Sequence, residues 1–272
     1  MMIGWLQSST GCLVLASGLL GLCVGSFLNV VICRLPMMIF SEINNEVDSF
    51  NLCFPRSHCP RCSHVLAARD NIPLLSYLHQ KGLCRYCKGV ISIRYPLVEG
   101  AVAVLFSLLA LELGWSYSLL GFLVLSSMLV VLAVVDFEYL LLPDQLTLSL
   151  LWLGLLFNLP SAGFVALPLA VVGAVCGYLF FRLVEWIARR LTRRDALGMG
   201  DAKFLAALGA WLGLEALPVV ILLAVEFTLV SYLAMRWLRR IKTPQIPFGP
   251  GAGSGWINCR ALSSVASRGA AL

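Results

Sequence analysis

Four cysteines are spaced as two pairs, Cys59-x2-Cys62 and Cys84-x2-Cys87, with 21 residues between the pairs. Two residues between thiolates let both sulfurs reach one ion from a tight turn. Two such turns complete the tetrahedron that Zn²⁺ favours. The stretch between the pairs slightly exceeds the usual 15–20 or so residues. Two disulfides would use the same four residues, but the segment reads as cytoplasmic, where thiols stay reduced. Four sulfur ligands leave no open position for a substrate, so the expected role is structural. His58, His64 and His79 lie nearby and read as solvated loop residues. Cys12, Cys23, Cys33, Cys53, Cys176 and Cys259 show no ligand spacing, and those in apolar segments read as small core residues.

Carboxylates supply the second chemistry. Asp136 closes an apolar segment in VVDFEYLLLPD, and Asp201 opens another in GMGDAKF. A paired set of carboxylates in a partly desolvated site shares one proton. One member then serves as base toward water while the other protonates a scissile carbonyl. Gly198 and Gly200 flank Met199 and allow a sharp turn and close backbone approach before Asp201. Asp201 at a helix start would also gain from the helix dipole. Asp144 follows in the first aspartate segment, and Glu226 sits inside an apolar run, where an ionisable group is a candidate for function.

The elements that position these groups belong to a membrane protein. Apolar residues make up 60% of the 272 and charged residues 12%, with mean hydropathy +0.89; soluble domains carry roughly 25% charge. Apolar segments at 11–33, 97–114, 118–135, 145–159, 163–184, 203–217 and 218–235 predict about seven helices, the fourth and sixth short. All 20 Lys and Arg fall in 34–94, 182–203, 236–242 and the tail. Alternating crossings from an external N-terminus place 34–96, 136–144, 185–202 and 236–242 on one side, so charge and parity agree on which side is cytoplasmic. The net charge of +6 therefore reports topology, and nucleic acid is not an expected partner. The first apolar run has no basic residue before it and no small-residue cleavage site after it, and reads as a retained helix. GAVCG, from Gly173 to Gly177, carries the small-xxx-small spacing of close helix packing.

The expected organisation is a first transmembrane helix at 1–33, a cytoplasmic four-cysteine insert at 34–96, a helix bundle at 97–242 and an atypical Gly/Ser-rich tail at 243–272. The fold class is all-α polytopic membrane protein with a small zinc-binding insert. Few large apolar side chains occur in the insert, so metal binding would supply its folding energy.

Taken together, GSFLNVVICRLP (25–36), CPRC, CRYC, RYPLVE (94–99), DFEYLLLPDQLTL (136–148), GMGDAKFLAALGAW (198–211) and PFGP (247–250) resemble the type IV prepilin peptidases, over about residues 20–250. The resemblance implies a bifunctional enzyme of the bacterial inner membrane. It implies Asp136 and Asp201 as the catalytic aspartates, with Asp144 supporting. It implies cleavage of the basic leader of prepilins or pseudopilins after a glycine, at the cytoplasmic face. It also implies methylation of the new N-terminal residue with S-adenosylmethionine, with Arg94, Tyr95, Pro96 and Glu99 associated with that step, and zinc on Cys59, Cys62, Cys84 and Cys87. Membrane lipid is the surrounding partner.

Three departures stand out. The family's final helix after PFGP is replaced here by a Gly/Ser/Ala-rich tail, an abrupt change such as a frameshift produces; Cys33 replaces a residue that is commonly polar or aromatic; and Glu226 belongs to no family motif. Two other readings predict different placements. An aspartyl protease without methylation would have no use for the insert or RYPLVE. An ion-relay transporter would set Asp136, Asp201 and Glu226 along a pore at mid-membrane.

Overall fold

The computed structural model describes residues 10–43, 51–52, 54, 56–59, 61–139, 141–192 and 199–241. Gly198 and the tail 243–272 lie outside the described residues, as do Cys53 and Cys259. Among the described residues the regular structure is helical, and two isolated bridges, His58 with Val65 and Leu83 with Val90, are its only β pairing. The chain divides into two compact units at residue 140.

The first unit is built on α1 (Thr10–Ile43). A 3-10 turn (Ala68–Asn71) and the short α2 (Leu75–His79) follow, then α3 (Arg94–Leu113) and α4 (Tyr117–Tyr139). Helix α3 buries Val98, Val102, Phe106 and Ala110, a single ridge at intervals of four. That ridge meets α1 where Gly18, Gly21 and Gly25 leave room. A Cβ built on Gly21 would lie 2.7 Å from the Ala103 Cα, and one on Gly25 2.8 Å from the Glu99 Cα. Helix α1 runs ten residues past the apolar run that ends at Cys33. Its buried Arg34 donates to the Asn51 and Leu52 carbonyls, each at 3.0 Å, so a charged residue continues the helix instead of ending it. Helix α4 likewise continues to Tyr139 and takes Asp136 into its last turn.

The second unit contains α5 (Asp144–Phe157), α6 (Leu167–Thr192), α7 (Met199–Leu212) and α8 (Leu217–Ile241). Helix α7 lies at its centre, with Leu205, Ala206, Ala207, Ala210 and Trp211 buried and α5 and α6 packed against it. The GAVCG spacing serves packing as expected. A Cβ on Gly173 would sit 2.6 Å from the Gly209 carbonyl oxygen, and one on Gly177 2.8 Å from that of Leu205. The Trp211 indole donates to the Leu150 carbonyl at 2.8 Å, and the buried Asn158 amide donates to the carbonyls of Ala210 and Trp211 at 2.9 and 3.0 Å. These bonds satisfy polar groups that the membrane interior would otherwise leave unpaired.

Among the described residues, four helices, α1, α3, α4 and α6, are long and apolar enough to cross a membrane. Helices α5 and α7 have 14 residues each, which at a rise of 1.5 Å reach about 21 Å, short of a hydrocarbon core of about 30 Å.

Candidate functional site

The four cysteines come together. Their sulfurs all lie within 4.8 Å of one another, and the Cys59 and Cys87 sulfurs are 3.8 Å apart. An ion with bonds of about 2.3 Å to four tetrahedral sulfurs sets them about 3.8 Å apart, so the cluster fits Zn²⁺.

Two matching turns produce it. In the first, the Ser63 amide donates to the Cys59 carbonyl at 2.8 Å and the Cys59 amide to the His64 carbonyl at 3.0 Å. In the second, Lys88 donates to Cys84 at 2.9 Å and Cys84 to Gly89 at 2.8 Å. Ser63 and Lys88, each directly after the second cysteine of its pair, both adopt φ of 55°, a conformation that costs a non-glycine residue energy. Across the site the His64 and Tyr86 rings lie 3.6 Å apart, which places His64 as a packing residue. Asp70 ties the 3-10 turn to the second pair through Arg85 at 3.3 Å and the Tyr86 hydroxyl at 3.4 Å.

Burial pushes the Cys59 thiol up to about 12. Burial acts in the same direction on Cys84. There the Cys87 and Tyr86 amides and the neighbouring Cys59 and Cys87 thiols favour the thiolate and bring it down to about 7. Binding a metal therefore requires Cys59 to lose its proton to solvent, whereas Cys84 gives up its own more readily.

A second group of polar residues gathers where α3 begins. The Arg94 guanidinium donates from Nη1 to both Glu138 carboxylate oxygens at 2.7 Å and from Nη2 to the Cys33 sulfur at 2.6 Å. The Tyr95 hydroxyl lies 3.7 Å from the same sulfur, and the Tyr95 carbonyl accepts the Asn29 amide at 3.1 Å. Pro96 occupies the first turn of α3, where its missing N–H costs nothing. The buried Glu99 carboxylate accepts the Leu74 amide at 2.8 Å and a hydrogen bond from Ser26. It thereby fastens the segment before α2, where Leu74 has φ of 55°, to the helices. Arg94 and Glu99 therefore join α1, α3, α4 and the insert. The Arg94 terminal nitrogens and the Glu99 carboxylate are engaged within the protein, which suits a shaping role.

The aspartates sit at helix ends. Asp136 is an exposed residue of the last turn of α4, in the first unit; Asp144 and Asp201 occupy the first turns of α5 and α7, in the second. Lys203 Nζ donates to both Asp144 oxygens at 2.6 Å, joining the starts of α5 and α7. Gly200 is needed where it stands: a Cβ there would lie 2.9 Å from the Leu142 Cβ. Glu226 is exposed on α8.

Residues 19–113 match the bacterial peptidase A24 N-terminal domain, and residues 123–233 match the type IV leader peptidase family. The chain is 48% identical over 255 residues to a prepilin leader peptidase/N-methyltransferase of Pectobacterium carotovorum subsp. carotovorum, covering 89% of this chain and 90% of that one. The chain belongs to the type IV prepilin leader peptidase/N-methyltransferase family. Two further relatives of the same description are those of Neisseria gonorrhoeae, 44% identical over 92% of this chain and 91% of its own, and Klebsiella pneumoniae, 53% identical over 75% and 87%. No solved structure matches.

Family and packing divide the chain at different places. Helix α4 with Asp136 falls in the leader peptidase match, yet it packs in the first compact unit with the N-terminal domain. Residues that sequence reasoning passed over are Glu138, Asn29 and Lys203. Glu138 and Lys203 each stand two positions from an expected catalytic aspartate, and a charged residue that close to an apolar segment was the available signal.

Proposed function

We propose that this leader peptidase family member cleaves prepilins or pseudopilins after the glycine that ends their basic leader and then methylates the new N-terminal residue. The reading rests above all on similarity along most of the chain to relatives described as having both activities. It is an inner-membrane enzyme of about seven crossings with its site at the cytoplasmic face, where 34–96 and 185–202 hold most of the basic residues.

In this reading Asp136 and Asp201 form the catalytic pair, with Gly198 and Gly200 shaping the turn into α7. The ionised member takes a proton from water, and the protonated member donates to the carbonyl oxygen of the scissile bond. The tetrahedral intermediate collapses, the peptide C–N bond breaks, and the amine leaves with a proton from the pair. That amine, once deprotonated, is the nucleophile for methylation. S-adenosylmethionine supplies an electrophilic methyl group when bound. Arg94, Tyr95, Pro96 and Glu99 hold the helix ends and the insert in the geometry that step requires.

The direct test is incubation of the purified chain in detergent with a prepilin, followed by mass spectrometry of the new N-terminus. The expected product begins after the glycine and gains about 14 Da only when S-adenosylmethionine is added. An uncut substrate would overturn the assignment.

Zinc is the proposed occupant of the cysteine cluster, as a structural cross-link. One zinc per chain is expected at about pH 8, lost progressively toward about pH 5, because protons compete for thiolates and metal-derived stability is present at high pH and lost as pH falls. Cys84→Ser should abolish stoichiometric binding. Metal analysis across a pH series checks both.

Lys203 is expected to hold the α5 and α7 starts in register. Lys203→Met should lower cleavage about ten-fold, with Lys203→Arg close to the parent. Asp144 is more than half exposed, so melting should change little. A Lys203→Met/Asp144→Asn double variant no slower than either single would show that the two act as one unit.

A further inference from the structure

Helix α4 ends with two carboxylates, Asp136 and Glu138, and no basic residue in its last turn. Helix α3 begins with Arg94 and has no acidic residue in its first turn. Both arrangements oppose the helix dipole, which favours cations at C-termini and anions at N-termini. The structure sets the two unfavourable charges against each other. Arg94 Nη1 is 2.7 Å from both Glu138 oxygens, and the side chains are only 11% and 18% exposed. The Cys33 sulfur and the Tyr95 ring, 5.4 Å from the guanidinium carbon, close the corner. Asp136, two positions earlier, points about 200° away around the helix, and is exposed. Glu138 therefore acts on Asp136 through the helix end that both occupy.

We propose that Glu138 is a positioning residue for cleavage, and that its ion pair with Arg94 is the joint holding the Asp136 turn and the Arg94–Glu99 segment in one geometry. The inference rests on the peptidase reading above. It links the two family regions, since Arg94 lies in the N-terminal domain match and Glu138 in the leader peptidase match. Arg94 substitutions then slow cleavage as well as methylation.

The test compares the full chain in detergent with Glu138→Gln, Arg94→Glu, Glu138→Arg, the exchange Arg94→Glu/Glu138→Arg, and Glu112→Gln at the far end of α3 as control. Glu138→Gln is expected to lower kcat for prepilin cleavage about ten-fold or more with KM within about two-fold, and to retain the parental melting temperature and zinc content. Each single reversal places like charges together and should cost about a hundred-fold. The exchange restores the pair and sets each charge at the helix end that favours it, so it should recover to within about ten-fold of the parent. Parental kcat in Glu138→Gln, a fall matched by lost thermal stability, or an exchange no better than the single reversals would overturn the proposal. A parent that does not cleave would instead sink the peptidase reading itself, and an Asp136→Asn variant that still cleaves would remove Asp136 from the pair and overturn the proposal built on it.

Discussion

Asp136→Asn and Asp201→Asn are each expected to reduce prepilin cleavage by about 10⁴-fold or more, and the double variant should be no slower than the singles. Members of a catalytic unit are grossly non-additive, because loss of either stops the same step. In a shared-proton pair, asparagine in one position leaves a lone carboxyl that cannot serve as base toward water and acid toward the carbonyl at once. Methylation of a precut substrate should survive both changes, since its nucleophile is the free amine. Initial rates on intact and precut substrates separate the outcomes. Cleavage surviving in either single variant would remove that residue from the pair, and loss of methylation as well would point to a damaged fold.

Gly173→Ala is expected to destabilise the second unit by about 3 kcal/mol or more, the upper range for overpacking. The built Cβ would lie 2.6 Å from the Gly209 carbonyl oxygen, 2.8 Å from the Gly213 carbonyl carbon and 2.9 Å from the Leu214 amide nitrogen. All three are backbone atoms, so no rotamer change relieves the clash. Helices α6 and α7 would have to separate, and α7 carries Asp201 at one end and Trp211 at the other. Gly100→Ala is the control: nothing lies within 4 Å of its Cβ position, and alanine in a helix should stabilise by a few tenths to about 1 kcal/mol. Thermal unfolding in detergent should separate the two variants widely. Equal melting points would mean that the α6–α7 contact contributes little to stability.

The metal-like cluster was legible because its chemistry is local. Each pair needs only two intervening residues and one turn, so spacing alone predicted a grouping that the sulfurs then formed. Hydropathy placed the helices nearly as well: each of the seven apolar segments falls on a helix, because a continuous apolar run is readable whatever the neighbours are, and four of those helices are long enough to cross a membrane. The GAVCG packing face was readable for a related reason, as small residues at intervals of four have few other uses in such a helix.

Hydropathy misjudged where α1 and α4 end. Apolar content falls at the interface, while backbone hydrogen bonding continues wherever a charge finds a partner, as Arg34 does at Asn51 and Leu52. The sequence by itself determined the membrane class, the cysteine cluster and the aspartate candidates, which follow from composition and short-range spacing, while the family was legible only through the resemblance of its combined motifs. Tertiary structure alone decided that Arg94 meets Glu138 across 44 residues, that Lys203 reaches Asp144 across 59, and that Glu99 closes on Leu74. Charge pairing depends on which helix faces meet: a local pattern can mark a glycine face as a packing face, but it does not say which backbone will meet it, as that of Glu99 meets Gly25.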